Sequence, residues 1–328
     1  MTSAPQPAKM QRVVITLALG PDIYRAMAIN LARSIRRWHG PEDLPIWIIS
    51  DSGEPLPNDL KGVTVQQIKS GEFGEGFETK LHLDQLAPAA KTLFIDADCL
   101  VYTSLNSLFA KLEGRAVAVV GAAIGEGEWF GDIGALCRQL GVTAIPKFNG
   151  GLYYLEPGPI ASAVYAKARE LAFRYDELGL VRLRGQPNDE LIMAAALALH
   201  SLPAVPDDGS TMSDPQACRG PMRVNVLRGK RRLENPPPPS PLHQAWYPFQ
   251  EVQPAIVHYL GHFVRGYHYR AETLRLRLAV SGWPQIFAGT MAAFIIVGPG
   301  WLTNHFKKAL RPLLHSVFGP RRIRSTGR

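Results

Sequence analysis

The amino-acid sequence predicts an α/β fold with a mostly parallel central sheet, followed by a basic and partly helical C-terminal extension. Short apolar runs alternate with amphipathic segments from residue 13 onward, which is typical of βα units in series. The basic residues are concentrated at the other end of the chain. Residues 265–328 carry eleven Lys or Arg and a single acidic residue, Glu272. We therefore expect one α/β domain and a separate cationic segment after it.

The composition is that of a globular protein. The chain has 328 residues, of which 46% are hydrophobic and 20% charged, enough for one large α/β domain or two small ones. Its three cysteines are far apart and show no CxxC or zinc-finger spacing, so we expect reduced thiols and a cytoplasmic protein without a zinc site. Residues 1–11 are polar and lack the pattern of a signal peptide, and we expect them to be disordered.

The first hundred residues predict strands and helices in alternation. Gly20-Pro21 ends the first apolar run, and Gly40-Pro41 ends the first amphipathic segment. Within that segment Met27, Leu31 and Ile35 recur at helical spacing. We predict strands over 13–19, 44–49, 63–68 and 92–95, and helices over 24–38 and 77–86.

The second half of the chain is less regular. We predict strands over 117–123, 148–155 and 255–258, and helices over 160–178, 191–199 and 273–280. Between residues 203 and 254 proline and glycine are dense and the periodicity is lost. We therefore expect a long irregular excursion there, not a domain.

Two carboxylates, Asp96 and Asp98, follow the buried strand predicted at 92–95. Residues two apart on an extended chain point to the same side, so the two charges lie close together. Such a pair is unfavourable at the end of a buried strand unless a cation neutralises it. A divalent ion such as Mn²⁺ or Mg²⁺ is the simplest partner, because these ions prefer oxygen ligands. The alternative is that the acids cap a helix or face solvent, and an isolated Asp-x-Asp does not decide between the two.

The position of this pair also fits a ligand site. In mostly parallel sheets the ligand binds beyond the carboxyl ends of the strands, which is where Asp51, Asp96 and Asp98 are expected. No GxGxxG or Walker-type glycine loop follows the first strand, which argues against a dinucleotide or P-loop site.

Four motifs, taken in order, resemble those of family 8 of the glycosyltransferases, which have a Rossmann-like nucleotide-sugar-binding domain called GT-A. The motifs are Asp22-Ile-Tyr24, Asp96-Ala-Asp98, Phe148-Asn-Gly-Gly151 and His258-Tyr-Leu-Gly261. The resemblance covers residues 12–268 and implies a single GT-A domain there, with 269–328 as the extension. It implies a metal-dependent hexosyltransferase that retains the configuration of the transferred sugar.

The resemblance also implies roles for single residues. Asp96, Asp98 and His258 would hold Mn²⁺ or Mg²⁺ against the diphosphate of a nucleotide-sugar donor, which the family most often binds as a UDP-sugar. Pro187-Asn188-Asp189 resembles an Asp-Gln-Asp segment around the transferred sugar, so Asn188 and Asp189 are the catalytic candidates. The other donor-binding candidates are Tyr24 beside the base, Lys80, Asn149, Gly150 and Gly151.

The sequence departs from the family in two places. The family follows its histidine motif with Lys-Pro-Trp, whereas Val264-Arg-Gly-Tyr267 stands here, so Arg265 is the candidate for the phosphate contact. Pro187 stands where the family has an acid. These departures keep open a non-catalytic scaffold with the same fold. Another alternative is a phosphohydrolase of the haloacid dehalogenase type, with Asp96 as the nucleophile.

Each candidate residue also has a structural explanation that the sequence leaves open. Asn188 and Asp189 fit the N-cap of the next helix, and His258 alone fits an ordinary core position. Tyr24 can pack within its helix, Lys80 can be solvated, and Asn149 can shape a bulge.

The extension carries an uncharged stretch, Trp283 to Trp301, followed by Lys307, Lys308 and Arg311. Its apolar core between two prolines is shorter than the ~20 residues that span a bilayer. Tryptophans at both ends and basic residues beyond are typical of a segment that lies on an anionic membrane surface. We expect peripheral attachment to the inner membrane face, next to a glycan or lipid-linked acceptor. The alternative is a helix packed on the domain. Because no nucleic-acid-binding motif is present, we expect no nucleic-acid partner.

Overall fold

The computed structural model describes residues 11–183, 185–303, 306, 309–310 and 316. It divides into two compact units, Met1–Leu260 and Gly261–Arg328. The predicted disorder of residues 1–11 and the predicted role of Lys307, Lys308 and Arg311 fall almost wholly outside the described residues. The domain boundary predicted after residue 268 stays a prediction.

The described residues form strands and helices in alternation through the first unit. The strands are β1 (Arg12–Ala18), β2 (Ile46–Ser50), β3 (Val63–Gln67), β4 (Lys91–Ile95), β5 (Cys99–Val101), β6 (Val117–Ala118), β7 (Val120–Ile124), β8 (Ile145–Phe148), β9 (Leu152–Leu155), β10 (Val205–Pro206), β11 (Met212–Ser213), β12 (Met222–Asn225), β13 (Lys230–Glu234), β14 (Glu251–Val252) and β15 (Ile256–His258). The helices are α1 (Asp22–Arg36), α2 (Leu83–Leu86), α3 (Asn106–Leu112), α4 (Ile133–Leu140), α5 (Pro159–Phe173), α6 (Asp189–Leu199), α7 (Tyr267–Val280) and α8 (Gln285–Ala292).

The central sheet has six strands in the order β3-β2-β1-β4-β9-β6. Strands β3, β2, β1 and β4 are parallel to one another, whereas β9 runs antiparallel to both β4 and β6. The predicted α/β class with a mostly parallel central sheet is therefore confirmed. The carboxyl ends of β1, β2 and β4 meet at one edge of this sheet, which is the edge that carries the candidate site.

Helices cover both faces of the sheet, which explains why its central strands are apolar along their whole length. Val13, Ile15 and Phe94 point to the face covered by α5 and α6. Val14 and Leu93 point to the opposite face, where α1 and α3 pack. Side chains thus pack on both faces of β4 up to Ile95, and this packing fixes the position from which Asp96 and Asp98 follow.

Several predicted elements differ in detail. The helix predicted over 77–86 is a 3₁₀ helix, Gly76–His82, followed by the single turn of α2. The strand predicted over 148–155 is two strands, β8 and β9, because Asn149, Gly150 and Gly151 form a turn between them. The strand predicted over 117–123 is likewise divided between two sheets. The sequence did not predict β5, α3 or α4.

The stretch 203–254 is more ordered than predicted. It contains a three-stranded antiparallel sheet, β12-β13-β14, and two short strands, β10 and β11, that pair with β7 and β15. Its polyproline segment is fixed by buried Asn235, whose side chain accepts a hydrogen bond from the Gln244 backbone N–H and donates one to the Gln244 carbonyl. Strands this short leave no periodicity to read, which is why the sequence indicated an irregular segment.

The second unit begins with a 3₁₀ turn, Gly261–Arg265, and continues into α7, which starts earlier than the predicted 273–280. Helix α8 runs on through a π-helical turn, Ala293–Val297. By length and composition the whole helix Gln285–Thr303 could cross a membrane, with 19 residues and a mean hydropathy of 1.6. The segment is longer than predicted because Pro299 does not end the helix, which continues through residues 298–303.

Candidate functional site

A turn after β4 and the pairing of β5 with β15 bring the acidic pair and His258 together. After β4 the chain turns, with the Cys99 backbone N–H donating to the Asp96 carbonyl, and enters β5. Strand β5 pairs antiparallel with β15 so that Cys99 lies opposite His258. The Tyr259 backbone N–H donates to the Asp98 carbonyl over 3.0 Å, which extends this pairing. Residues 160 positions apart in sequence are thus fixed side by side by backbone hydrogen bonds.

His258 contacts both carboxylates of the pair. Its Nε2 lies 3.0 Å from Oδ1 of Asp98 and 3.8 Å from Oδ2 of Asp96. Although burial lowers the pKa of His258, the charge of Asp98 and its hydrogen bond raise that pKa to about 9. Burial raises the pKa of Asp98, but the imidazolium outweighs it and holds this pKa below its usual value. His258 and Asp98 therefore form an ion pair at neutral pH.

Lys80 neutralises the other side of the site. Its Nζ donates to Oδ2 of Asp96 at 2.8 Å and to the Gly150 carbonyl at 2.9 Å, and it lies 3.5 Å from Oδ2 of Asp189. Burial lowers the pKa of Lys80, but Asp189 and Asp96 raise it above its usual value, so Lys80 stays an ammonium ion. Burial and the charge of Asp98 raise the pKa of Asp96 in spite of Lys80. The solvated alternative for Lys80 is wrong, since its side chain is buried.

The donor atoms fit a small divalent ion. Two ligands at right angles, each about 2.1 Å from an octahedral Mg²⁺, lie about 3.0 Å apart. Oδ1 of Asp98 and Nε2 of His258 have that separation, 3.0 Å. Oδ2 of Asp96 is 3.8 Å from the same nitrogen and accepts the hydrogen bond of Lys80. The fold thus brings Asp96, Asp98 and His258 together, and their coordination of a metal ion stays a prediction.

Asp98, Cys99 and His258 form a group of possible metal ligands to which Asp96 does not belong. Sγ of Cys99 lies within 4.8 Å of the ligand atoms of Asp98 and His258. Burial and the neighbouring carboxylates raise the pKa of the Cys99 thiol well above its usual value, so the thiol stays protonated. A neutral thiol is a poor ligand for Mn²⁺ or Mg²⁺, which supports the two carboxylates and the imidazole as the donor set.

The turn Asn149-Gly150-Gly151 lies directly against these side chains. The Asp96 backbone N–H donates to the Gly151 carbonyl, which holds the turn against the end of β4. A Cβ on Gly151 would lie 2.6 Å from Nδ1 of His258, and one on Gly150 would lie 2.7 Å from Cγ of Glu190. Both glycines are thus required by the close approach of the turn to the site. The predicted donor contacts of this turn stay predictions.

Asp189 is the first residue of α6, and Asn188 directly precedes it. Asn188 is the N-cap, and its Oδ1 accepts a hydrogen bond from the Glu190 backbone N–H over 2.8 Å, so the helix-cap explanation is confirmed. Its Nδ2 is buried and has no hydrogen-bond partner among the described residues. Oδ2 of Asp189 accepts from the Tyr153 hydroxyl at 2.7 Å. The predicted catalytic roles of Asn188 and Asp189 stay predictions.

Two acidic residues that the sequence did not single out also belong to the site. Oε1 of Glu190 accepts from the Gly150 backbone N–H at 2.6 Å, and burial together with Asp189 raises the pKa of Glu190 to about 7. Asp214 is buried and contacts the Asn149 amide at 3.1 Å. Glu190 directly follows the predicted pair Asn188 and Asp189 and could have been included. Asp214 lies in the stretch whose pairing the sequence does not indicate.

The roles of two other predicted residues, Tyr24 and Arg265, stay predictions. Tyr24 lies in the first turn of α1 with 43% of its side chain exposed, so it does not fill a core position, and its base contact stays a prediction. Arg265 belongs to the second unit, in the 3₁₀ turn Gly261–Arg265, and its phosphate contact also stays a prediction.

No protein-family model and no curated protein matches this chain. Solved structures with a similar fold include the galactosyltransferase LgtC bound to donor and acceptor sugar analogues, at 14% identity and a TM-score of 0.47, covering 76% of this chain and 87% of LgtC. The bifunctional glycosyltransferase WbbM is similar at 16% identity and a TM-score of 0.48, covering 79% of this chain and 47% of WbbM. The glycosyltransferase GlyE of Streptococcus pneumoniae TIGR4 is similar at 16% identity and a TM-score of 0.39, covering 61% of this chain and 45% of GlyE. The chain thus spans about half the length of GlyE and of WbbM. At these identities and scores we draw no function from the similarity.

Proposed function

We propose that this protein is a metal-dependent glycosyltransferase that transfers a sugar from a UDP-sugar to a glycan or glycolipid acceptor. The transfer retains the configuration of the sugar. The observation that carries the proposal is the group of buried side chains at the carboxyl end of β4. There the His258–Asp98 pair and the Lys80–Asp96 pair meet around atoms spaced for a divalent ion. The motif order described above supports the choice of a nucleotide sugar over other phosphorylated ligands.

The chemistry asks for positive charge where the leaving diphosphate develops negative charge. A divalent ion held by Asp96, Asp98 and His258 would supply Lewis-acid stabilisation of that charge. Lys80 donates a hydrogen bond to Asp96 and remains an ammonium ion, so it adds a positive charge to the site. The Nδ2 group of Asn188, which has no hydrogen-bond partner among the described residues, and the carboxylate of Asp189, 3.5 Å from Lys80, are the groups proposed to orient the sugar. No side chain is assigned as a covalent nucleophile.

Thermal unfolding with Mn²⁺, with UDP and with both tests the donor site. A ligand at about 100 times its dissociation constant stabilises the native state by about 2.7 kcal/mol, a clear rise in Tm. We expect the full rise only with both ligands, and its loss in Asp98→Asn, which keeps the side-chain volume but removes a metal-binding charge. Asp176→Asn is the matched control, because Asp176 is exposed and pairs only with Arg182 at the surface.

Further assays separate this function from its alternatives. Release of UDP from a set of UDP-sugars, followed by NMR of the product anomeric proton, would identify the sugar and test retention. Covalent phosphate on Asp96 would instead indicate the phosphohydrolase. Folded protein that binds neither Mn²⁺ nor UDP would indicate the non-catalytic scaffold.

We also propose that the second unit attaches the enzyme to the anionic inner face of a membrane, where a lipid-linked acceptor is within reach. The helix Gln285–Thr303 supports this, because it is apolar and only 11% of it is buried. Large apolar side chains such as Ile286, Phe294 and Ile295 are exposed along it. An uncompensated apolar surface of this kind is typical of membrane or protein contacts.

Flotation with lipid vesicles tests the attachment. We expect wild-type protein to float with vesicles that contain about 30% anionic lipid and to dissociate in high salt, because surface charge attraction is screened by ions. Phe294→Glu should weaken flotation, whereas Phe173→Glu should not, although Phe173 in the first unit is 88% exposed and Phe294 76%. Protein that stays with the vesicles in high salt and alkaline carbonate would indicate a helix that crosses the membrane. Absence of flotation would refute attachment.

A further inference from the structure

A chain of hydrogen bonds leads from a buried carboxylate to the far side of the His258 ring. Oδ1 of Asn149 lies 2.8 Å from Nδ1 of His258, and Nδ2 of Asn149 donates to Oδ2 of Asp214 at 3.1 Å. The other carboxylate oxygen, Oδ1 of Asp214, accepts the backbone N–H groups of Gln216 and Ala217 at 2.7 and 2.8 Å. The three side chains thus form one continuous array behind the metal-facing nitrogen.

The strand pairing explains why these residues meet. Strand β11 runs parallel to β15, with Met212 beside Ile256 and Ser213 beside Val257. Asp214 follows in the same register and so comes beside His258. The turn after β8 brings Asn149 between the two. The position of Asp214 is therefore set by the same backbone ladder that positions His258.

The array permits a single orientation of the Asn149 amide. Its Oδ1 accepts two hydrogen bonds, from the Gly151 backbone N–H at 2.9 Å and from the ring of His258. A flipped amide would direct its N–H₂ group at the Gly151 N–H and its oxygen at the Asp214 carboxylate. Both contacts would be repulsive. Asp214, with its own orientation fixed by two backbone donors, therefore fixes which atom of Asn149 faces His258.

We propose that Asp214 is a positioning residue that acts through Asn149 to keep the proton of His258 on Nδ1, which leaves Nε2 as the atom that binds the divalent ion. An oxygen that faces Nδ1 stabilises the N–H form of that nitrogen, so a neutral imidazole carries its lone pair on Nε2. Nε2 is the atom that lies against Asp98. Partners of this kind behind a ligating histidine alter metal affinity by about 10–100-fold when they are replaced.

This inference rests on the proposed metal site, so its test needs a measurement on the ring itself as well as on metal affinity. Asp214→Asn is the informative variant, because it keeps the size of the side chain and replaces one acceptor by an N–H₂ group. Gln216 and Ala217 present donors, so the new amide turns its oxygen toward them and its N–H₂ group toward Asn149. The unflipped Asn149 amide then meets this new N–H₂ group with its own, so that contact no longer fixes its orientation. The flipped amide, which loses the hydrogen bond from the Gly151 backbone N–H but presents N–H₂ to His258, becomes populated, and in that population the ring proton moves to Nε2.

The first measurement is Mn²⁺ affinity in the presence of UDP, followed from the electron paramagnetic resonance signal of free Mn²⁺. We expect Asp214→Asn to bind Mn²⁺ at least about tenfold more weakly than wild type. The second measurement is the ¹⁵N NMR spectrum of the metal-free protein at about pH 10, above the pKa of about 9 of His258. We expect the pyridine-type nitrogen at Nε2 in wild type and a measurable population with it at Nδ1 in the variant, with assignment from the spectrum of His258→Gln.

Asp207→Asn is the matched control. Asp207 lies in the same stretch and its Oδ1 likewise accepts a backbone N–H two residues ahead, that of Gly209, but no contact joins it to Asn149. The inference requires both changes in Asp214→Asn and neither in Asp207→Asn, and it is overturned if the Mn²⁺ affinity or the tautomer stays as in wild type. If wild type itself binds no Mn²⁺, the proposed function fails, while the NMR result still decides whether Asp214 sets the ring proton.

Discussion

Nε2 of His258 and Oδ1 of Asp98 lie 3.0 Å apart although 159 residues lie between them in the sequence, and the contact is made by an imidazolium and a carboxylate. The pair is held in place by backbone hydrogen bonds between β5 and β15, so its spacing exists before any ligand arrives. A divalent ion would replace the proton on Nε2 and take over its attraction to Asp98. Metal binding and proton release are therefore coupled at this site.

We expect Mn²⁺ binding to release about one proton at pH 7. His258 has a pKa of about 9 in the metal-free protein, so its Nε2 is protonated at pH 7 and must lose that proton to bind the ion. The apparent affinity should then rise by up to tenfold per pH unit between pH 6 and 8 and level off above about 9. Calorimetry in buffers of different ionisation enthalpy measures the proton release. A binding enthalpy that is independent of the buffer would contradict the coupling.

Removing the charge of Lys80 should destabilise the fold. Lys80→Met leaves the buried carboxylates of Asp96 and Asp189 without their cation, which typically costs about 3–5 kcal/mol in the free energy of unfolding. Denaturant unfolding at pH 7 measures the change. Lys111→Met is the control, because Lys111 pairs with the exposed Asp208 and such surface pairs contribute at most about 1 kcal/mol. Equal losses in the two variants would show that Lys80 is not a structural counter-ion.

The sequence predicted the parts of this site that follow from local pattern. An apolar run predicts β4, and the position of Asp96 and Asp98 at its end follows from the run itself. The N-cap role of Asn188 follows from its place before an apolar helix. His258 was predicted by its resemblance to a motif, and its contact with Asp98 depends on the pairing of β5 with β15. Strand β5 has three residues, too few to show a period.

The remaining parts depend on contacts between distant segments. Asp214 and Asn149 meet because β11 and β8 end next to β15, and nothing near either residue in sequence indicates it. The same is true of Glu190 and the Gly150 backbone. The sequence predicts a single strand over 148–155, whereas the turn Asn149-Gly150-Gly151 separates two strands that belong to different sheets. Short-range sequence patterns thus predict the helices and strands, whereas the backbone hydrogen bonds between distant strands determine which side chains meet in the site.

A methyl group on Gly151 should disrupt the site without unfolding the chain. In Gly151→Ala the Cβ would lie 2.6 Å from Nδ1 and 2.9 Å from Cε1 of His258, so the ring or the turn must shift. We expect a loss of about 1–3 kcal/mol in the free energy of unfolding and a marked weakening of Mn²⁺ binding. Gly158→Ala is the control, because Gly158 is extended and the nearest atom to its Cβ would be 4.0 Å away. Unchanged Mn²⁺ binding in Gly151→Ala would contradict the close approach.

Glu190 should make the stability of the protein fall as pH rises through the range from about 4.5 to 7. Burial and the nearby Asp189 raise the pKa of Glu190 to about 7 in the folded state, above its unfolded value of 4.5. The folded state therefore favours the protonated acid, so the stabilisation present below pH 4.5 is lost as the carboxyl ionises. Two and a half pKa units correspond to at most about 3.4 kcal/mol, and partial exposure of the side chain lowers the expected loss to about 1–3 kcal/mol.

Glu190→Gln isolates this effect, because its amide oxygen can still accept the hydrogen bond from the Gly150 backbone N–H. We expect the free energy of unfolding of wild type to decline relative to the variant between pH 4.5 and 7, measured by urea denaturation at half-unit steps. Glu177→Gln, at an exposed position, should follow wild type throughout. If wild type instead gains stability over the variant as pH rises, Glu190 is held as a carboxylate by its neighbours, and the burial that sets its pKa is outweighed by the charge of Lys80 and the Gly150 N–H.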